Sequence, residues 1–166
     1  MSKEAKTNAM RFLEKQNIAY TAHQYPHEEG VAVDGVTVAR TMGENPAAVF
    51  KTLVTQGAGR DYFVFVIPVA EELDLKAAAR AVGQKSVAML PVAELLKVTG
   101  YVRGGCSPVG MKKQYVTVFD QSALTQQRIY VSGGRIGTQI CAAPQDLIGA
   151  VRAKVAPLTT CYKNNG

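Results

Sequence analysis

Within Pro46-Ala47-Ala48-Val49-Phe50-Lys51-Thr52-Leu53-Val54-Thr55, the segment Val49 to Val54 reads as a strand. β-Branched and aromatic residues run from Val49 to Val54, with a proline before them and glycines after. Alternation along a strand places Val49, Lys51 and Leu53 on one face and Phe50, Thr52 and Val54 on the other. Lys51 therefore projects from an otherwise apolar surface. Two readings fit. Either this is an edge strand whose lysine packs its stem and sends its ammonium to water, or the ammonium stands at the mouth of a pocket, aimed at a carbonyl or phosphate.

Gln56 to Asp61 reads as a turn, and Tyr62 to Pro68 as a second strand completing a hairpin near the middle of a sheet. Phe63 to Ile67 is continuously apolar, which implies cover on both faces. Upstream, the pattern predicts a helix over Thr7 to Gln16, a strand over Ile18 to Gln24, and a helix over Val36 to Met42 between Asp34 and Gly43. Downstream it predicts helices over Asp74 to Val82, Pro91 to Lys97 and Pro144 to Lys154. Further strands are expected at Ser86 to Met89, Val116 to Phe119, Ile129 to Ser132 and Thr138 to Cys141, and a loose tail from Pro157 to Gly166. Hairpins mixed with helices, without strict strand–helix alternation, point to an α/β chain of the α+β type. The expected architecture is one domain over residues 1–166, a mixed, largely antiparallel, barrel-like sheet surrounded by helices.

A chain of 166 residues can bury a core of its own. No apolar run reaches the roughly 20 residues that cross a bilayer, and the charged start, Met1 to Lys6, is unlike a secretion signal. Three scattered cysteines make neither a disulfide framework nor a zinc site, so the protein is expected in the cytoplasm. His23 and His27 are separated by a proline and have no third ligand nearby, which argues against a metal. No cofactor is implied, and neither DNA nor a membrane is an expected partner. A net charge of +6 hints at a polyanionic one.

Gly100-Tyr101-Val102-Arg103-Gly104-Gly105-Cys106-Ser107-Pro108-Val109-Gly110 is costly in chain entropy for a mere connector. Such glycines serve either special turn dihedrals or close approach of backbone N–H groups to an anion. Cys106 has no histidine near it in sequence, and no nucleophile elbow or phosphate-binding Walker loop is present. A thiol-dependent enzyme using Cys106 is the least favoured class.

Four stretches together resemble the YbaK/EbsC family of free-standing Cys-tRNA(Pro) deacylases, related to the editing domain of bacterial prolyl-tRNA synthetase. They are Pro46-x-x-Val49-Phe50-Lys51-Thr52-Leu53, Pro68-Val69-Ala70-x-x-Leu73-Asp74-Leu75-Lys76, Thr99-Gly100-Tyr101-x-x-Gly104-Gly105-x-Ser107-Pro108-x-Gly110, and Ile129-Tyr130-Val131-Ser132-Gly133-Gly134. The resemblance implies hydrolysis of mischarged Cys-tRNA(Pro) in trans, with the acceptor end of tRNA(Pro) as substrate and prolyl-tRNA synthetase as a partner protein. It implies that Lys51 and Gly104 are catalytic, Gly104 through its backbone. Tyr25, Thr52, Gly105, Pro108, Ser132 and Gln139 would contact substrate. It further implies that no protein nucleophile acts and that the substrate's own thiol attacks its ester. Some members carry an aspartate after the Ser-Gly-Gly turn; this chain has Gln139, which hydrogen-bonds but cannot ionise. The alternative is a non-catalytic module that binds tRNA beside the synthetase. Which amino acid is preferred, and the oligomeric state, do not follow from the sequence.

Overall fold

Local chemistry sets the helix ends. The computed structural model describes residues 5–165; the first four residues of the charged start and Gly166 of the tail lie outside them. Helix α1 (Asn8–Lys15) begins where the Thr7 hydroxyl accepts a hydrogen bond from the Met10 amide. Helix α2 (Gly35–Met42) is capped by Asp34 and stops at Gly43, which takes the left-handed conformation at φ 71°. Helix α3 (Leu75–Ala81) starts at the Asp74 cap, α4 (Val92–Thr99) ends on Gly100 at φ 87°, and α5 (Pro144–Ala150) opens with proline in its first turn.

The strands are β1 (Thr21–Gln24), β2 (Phe50–Gly57), β3 (Tyr62–Pro68), β4 (Val87–Met89), β5 (Val116–Asp120), β6 (Ile129–Ser132), β7 (Thr138–Ala142) and β8 (Lys154–Ala156). They form two sheets, one ordered β4-β2-β3-β5-β8 and the other β1-β7-β6. Pairing is antiparallel except where β5 lies parallel to β3 and to β8. The mixed, mainly antiparallel arrangement matches the expectation. The sheets do not close into a barrel: among the described residues a single bridge, Val49 to Tyr130, joins their strands.

Strand β3 is covered on both sides, as its unbroken apolar run requires. Val64 and Val66 join the main core with α1, Phe119, Ile129, Val131 and Ile140, while Phe63, Phe65 and Ile67 pack on α3. Val49, Ala39 and Val69 form a third cluster where α2 meets β2.

Several expected boundaries are corrected. The strand read over Ile18 to Gln24 begins only at Thr21, and the Lys51 strand continues through Gln56 and Gly57. The last helix ends at Ala150, because Lys154–Ala156 is recruited as a strand beside β5. The tail is not loose. Leu158 is fully buried, its N–H donates to Asp120 and its C=O accepts from the Asp74 amide at 2.7 Å. Asp120, itself 1% exposed, also accepts from the amide and hydroxyl of Ser122 and from the Tyr162 hydroxyl. A buried carboxylate so surrounded by donors anchors the segment.

Candidate active site

Strand β2 has β3 along one side but only partial cover along the other. The β6 bridge stops at Val49, and β4 begins where the Leu90 amide donates to the Val54 carbonyl. Between them, among the described residues, no strand forms a ladder with Phe50 to Leu53 on that side, although β6 packs close by. Peptide groups two residues apart on a strand point the same way, so the N–H and C=O of Thr52 face this gap, as those of Val54 face β4. An open cleft of about 1180 Å³ lies there, walled by residues 30–36, by Lys51, Thr52 and Leu53, by Val92, Leu95 and Leu96 of α4, and by Val102 to Gly104.

Behind the cleft is a smaller cavity of about 110 Å³, set between the two sheets. Lys51, Thr52 and Gly104 border both spaces, so the small cavity opens toward the large one past the lysine. Tyr25, Ser132 and Gln139 come from the other side. Ser132 and Gln139 sit directly opposite in the β6–β7 pairing, which puts their side chains on one face. Tyr25 follows β1 and is held by its amide on the Gly137 carbonyl at 2.9 Å.

The side-chain oxygens Thr52 Oγ1, Ser132 Oγ and Gln139 Oε1 are buried and have no hydrogen-bond partner. All three residues line the small cavity. An orphaned buried polar atom costs about 1–3 kcal/mol, so three in one place mark a site built for a polar ligand. Lys51 adds the charge. Burial pulls its ammonium below the ordinary lysine value, against the opposing pull of Glu72 and Glu71. Among the described residues no carboxylate is ion-paired with it.

The glycine-rich loop divides between structural duty and the cavity. Gly100 ends α4, and Gly110 is pressed against the Asn8 carbonyl and the Tyr101 hydroxyl. Gly104 (φ 87°) lines the cleft, and a Cβ there would lie 2.8 Å from the Ala32 methyl. Gly105 turns away, its N–H donating to Val102 and its Cα packed on the Arg135 backbone. Pro108 is buried in the same loop. Neither Gly105 nor Pro108 borders the cleft or the small cavity. The structure thus gathers Lys51, Gly104, Tyr25, Thr52, Ser132 and Gln139, and leaves Gly105 and Pro108 as supports of the wall.

Cys106 touches the small cavity, yet it is 8% exposed and burial pushes its thiol up to about 12. It is not an activated nucleophile.

A family model described as "Aminoacyl-tRNA editing domain" matches residues 30–150. The chain belongs to this family. A curated protein of Enterococcus faecalis, "Putative Cys-tRNA(Pro)/Cys-tRNA(Cys) deacylase EbsC", is 41% identical over 157 residues, covering 95% of each chain. Among solved structures, one titled "Crystal structure of a putative trans-editing enzyme for prolyl tRNA synthetase" superposes with a TM-score of 0.79 at 23% identity, over 94% of this chain and 99% of that one. Another, "Crystal structure of hypothetical protein APE2540", gives 0.82 at 22% identity, over 92% and 99%. These two show the fold.

Sequence reasoning missed part of the editing-domain cleft. The sequence reading gave no site role to the 30–36 segment or to α4, yet they supply most of its apolar wall. The signal was present: Val31, Val92, Leu96 and Val102 are all large, apolar and about half exposed. Helix α4 in particular has more apolar residues than its buried face needs.

Proposed function

We propose that this editing-domain protein is a free-standing deacylase that removes cysteine from mischarged tRNA(Pro), the whole 166-residue chain acting as one domain. The tRNA acceptor end enters the large cleft and the aminoacyl group passes Lys51 into the small cavity. Binding of this group supplies donors for the orphaned oxygens of Thr52, Ser132 and Gln139. The clustering of these atoms beside Lys51 is the observation that carries the reading. Size supports it too. A cavity of about 150 Å³ takes a benzene ring, so one of about 110 Å³ suits a small side chain such as that of cysteine.

In the reaction, the substrate's thiolate sulfur attacks the ester carbonyl carbon. A C–S bond forms, the ester C–O bond breaks, and the ribose oxygen leaves and takes a proton. Water then opens the cyclic thioester to free cysteine. Lys51 and the backbone N–H of Gly104 hold the carbonyl as negative charge develops on its oxygen. No carboxylate is required, so Gln139 suffices as a hydrogen-bonding wall. The protein works in the cytoplasm beside prolyl-tRNA synthetase, which generates the mischarged product because a site discriminates poorly among small side chains.

Deacylation of Cys-tRNA(Pro) and Ala-tRNA(Pro) by the purified protein tests this. Rapid release of cysteine with Ala-tRNA(Pro) spared is expected. Equal release of both removes the substrate-thiol mechanism, and release of neither leaves a tRNA-binding module.

A further inference from the structure

On the other side of α4 from the cleft lies a second groove of about 590 Å³, bordered by Arg60, Lys97, Lys113, Gln84 and Gln114, with Asp61 at its rim. None of these residues lines the editing cleft. Tyr62 and Tyr115 form its wall, edge to face with centroids 5.6 Å apart, and the Tyr115 hydroxyl donates to the Val98 carbonyl at 2.6 Å. The groove is therefore fixed to the last turn of α4, the helix whose Val92, Leu95 and Leu96 face the cleft. That helix contributes residues to both concavities.

Arg60 is the telling residue. It lies in the β2–β3 turn with φ 70°, the left-handed region that side chains avoid and glycine accepts freely. The turn closes through the Gly57 amide on the Asp61 carbonyl, and Gly59 is one position away from where glycine would relieve the strain. This strained arginine, standing where glycine would be at ease, shares the groove with the exposed Lys97 and Lys113.

We propose that this groove carries sugar–phosphate backbone of the tRNA whose aminoacyl end occupies the cleft. The proposal rests on the editing reading above. Arg60, Lys97 and Lys113 contact phosphates, while Gln84 and Gln114 offer neutral hydrogen bonds to ribose or phosphate oxygens. Asp61 and Glu94 oppose them, the latter through an exposed pair with Lys97 at 3.4 Å. Such a pair is weak and readily exchanged for a phosphate.

The test uses Arg60→Gly, the double variant Arg60→Gly/Lys113→Gln, and Glu94→Gln. Binding of uncharged tRNA is measured across a salt series, alongside steady-state deacylation and thermal melting. Arg60→Gly should melt higher than wild type, because glycine relieves the turn, yet bind tRNA several-fold more weakly. The double variant should lower the slope of log affinity against log salt by about 1 per lost contact. It should raise KM for aminoacyl-tRNA several-fold with kcat unchanged, and leave deacylation of a cysteinyl ester of adenosine untouched. Glu94→Gln should bind more tightly. Wild-type affinity and salt slope in the double variant would overturn the groove assignment while deacylation by the wild type keeps the editing reading intact. A wild-type protein that neither binds tRNA nor cleaves the adenosine ester overturns both.

Discussion

Lys51 and Cys106 both touch the small cavity, and their surroundings assign them opposite fates. Partial burial weakens the proton hold of Lys51, while Glu72 and Glu71 pull the other way. Burial disfavours the thiolate of Cys106. Replacing Lys51 with alanine should cut deacylation by at least a hundredfold, the scale of losing one stabiliser of a developing oxyanion. Cys106→Ala should keep most of it; a folded but inactive Cys106→Ala would overturn the mechanism. The pH profile follows from the same two groups. Activity should rise as the substrate's thiol ionises, near about 8.5. It should fall again once Lys51 loses its proton, which happens below the pH at which an ordinary lysine does. A bell-shaped kcat with its alkaline limb below the usual lysine range is expected, measured after subtracting spontaneous ester hydrolysis. A rate that climbs through that range without turning would remove the charged form of Lys51 from the mechanism.

At the scale of elements, the site exists because β2 lacks a neighbour for four residues. Had a neighbouring strand paired along the whole length of β2, the Thr52 peptide would be consumed in a ladder and no cleft would form. The 100–110 loop closes the opposite wall, and Gly104 is where it meets the 30–36 segment. Gly104→Ala introduces a Cβ at φ 87° and 2.8 Å from the Ala32 methyl. The left-handed conformation alone costs about 1–2 kcal/mol. The variant should melt several degrees lower and lose deacylation more than stability, read as a fall in kcat/KM at a temperature where it is fully folded. Unchanged stability and rate would mean that this wall is slack.

At the scale of the whole molecule, the tail matters more than its position in the chain suggests. Leu158 is fully buried against the α3 side of the sheet, in the cluster with Phe65 and Val118, and does not itself line the cleft. Leu158→Ala should cost about 2–5 kcal/mol in urea unfolding. Deacylation by the remaining folded protein should stay at the wild-type rate; a loss of kcat there would couple the tail to the site. The tail shows where sequence reading stops. Pro157 to Gly166 carries no periodic pattern, and the order around Leu158 comes from Asp120, 38 residues before it, holding its backbone. Lys154–Ala156 is likewise a strand only because β5 offers a free edge.

The sequence by itself determined the central hairpin, the helix cap at Asp34, the double-sided burial of β3, and Lys51 as the residue to follow. Each of these rests on periodicity or on hydrogen bonds within a few residues, which composition and spacing encode locally. Only the tertiary structure decided that Thr52, Ser132 and Gln139 share one cavity, that Gly105 and Pro108 stand behind it, and that the sheets remain open. Those outcomes depend on which distant strands meet and where their pairing stops, and no local pattern along the chain carries that distance.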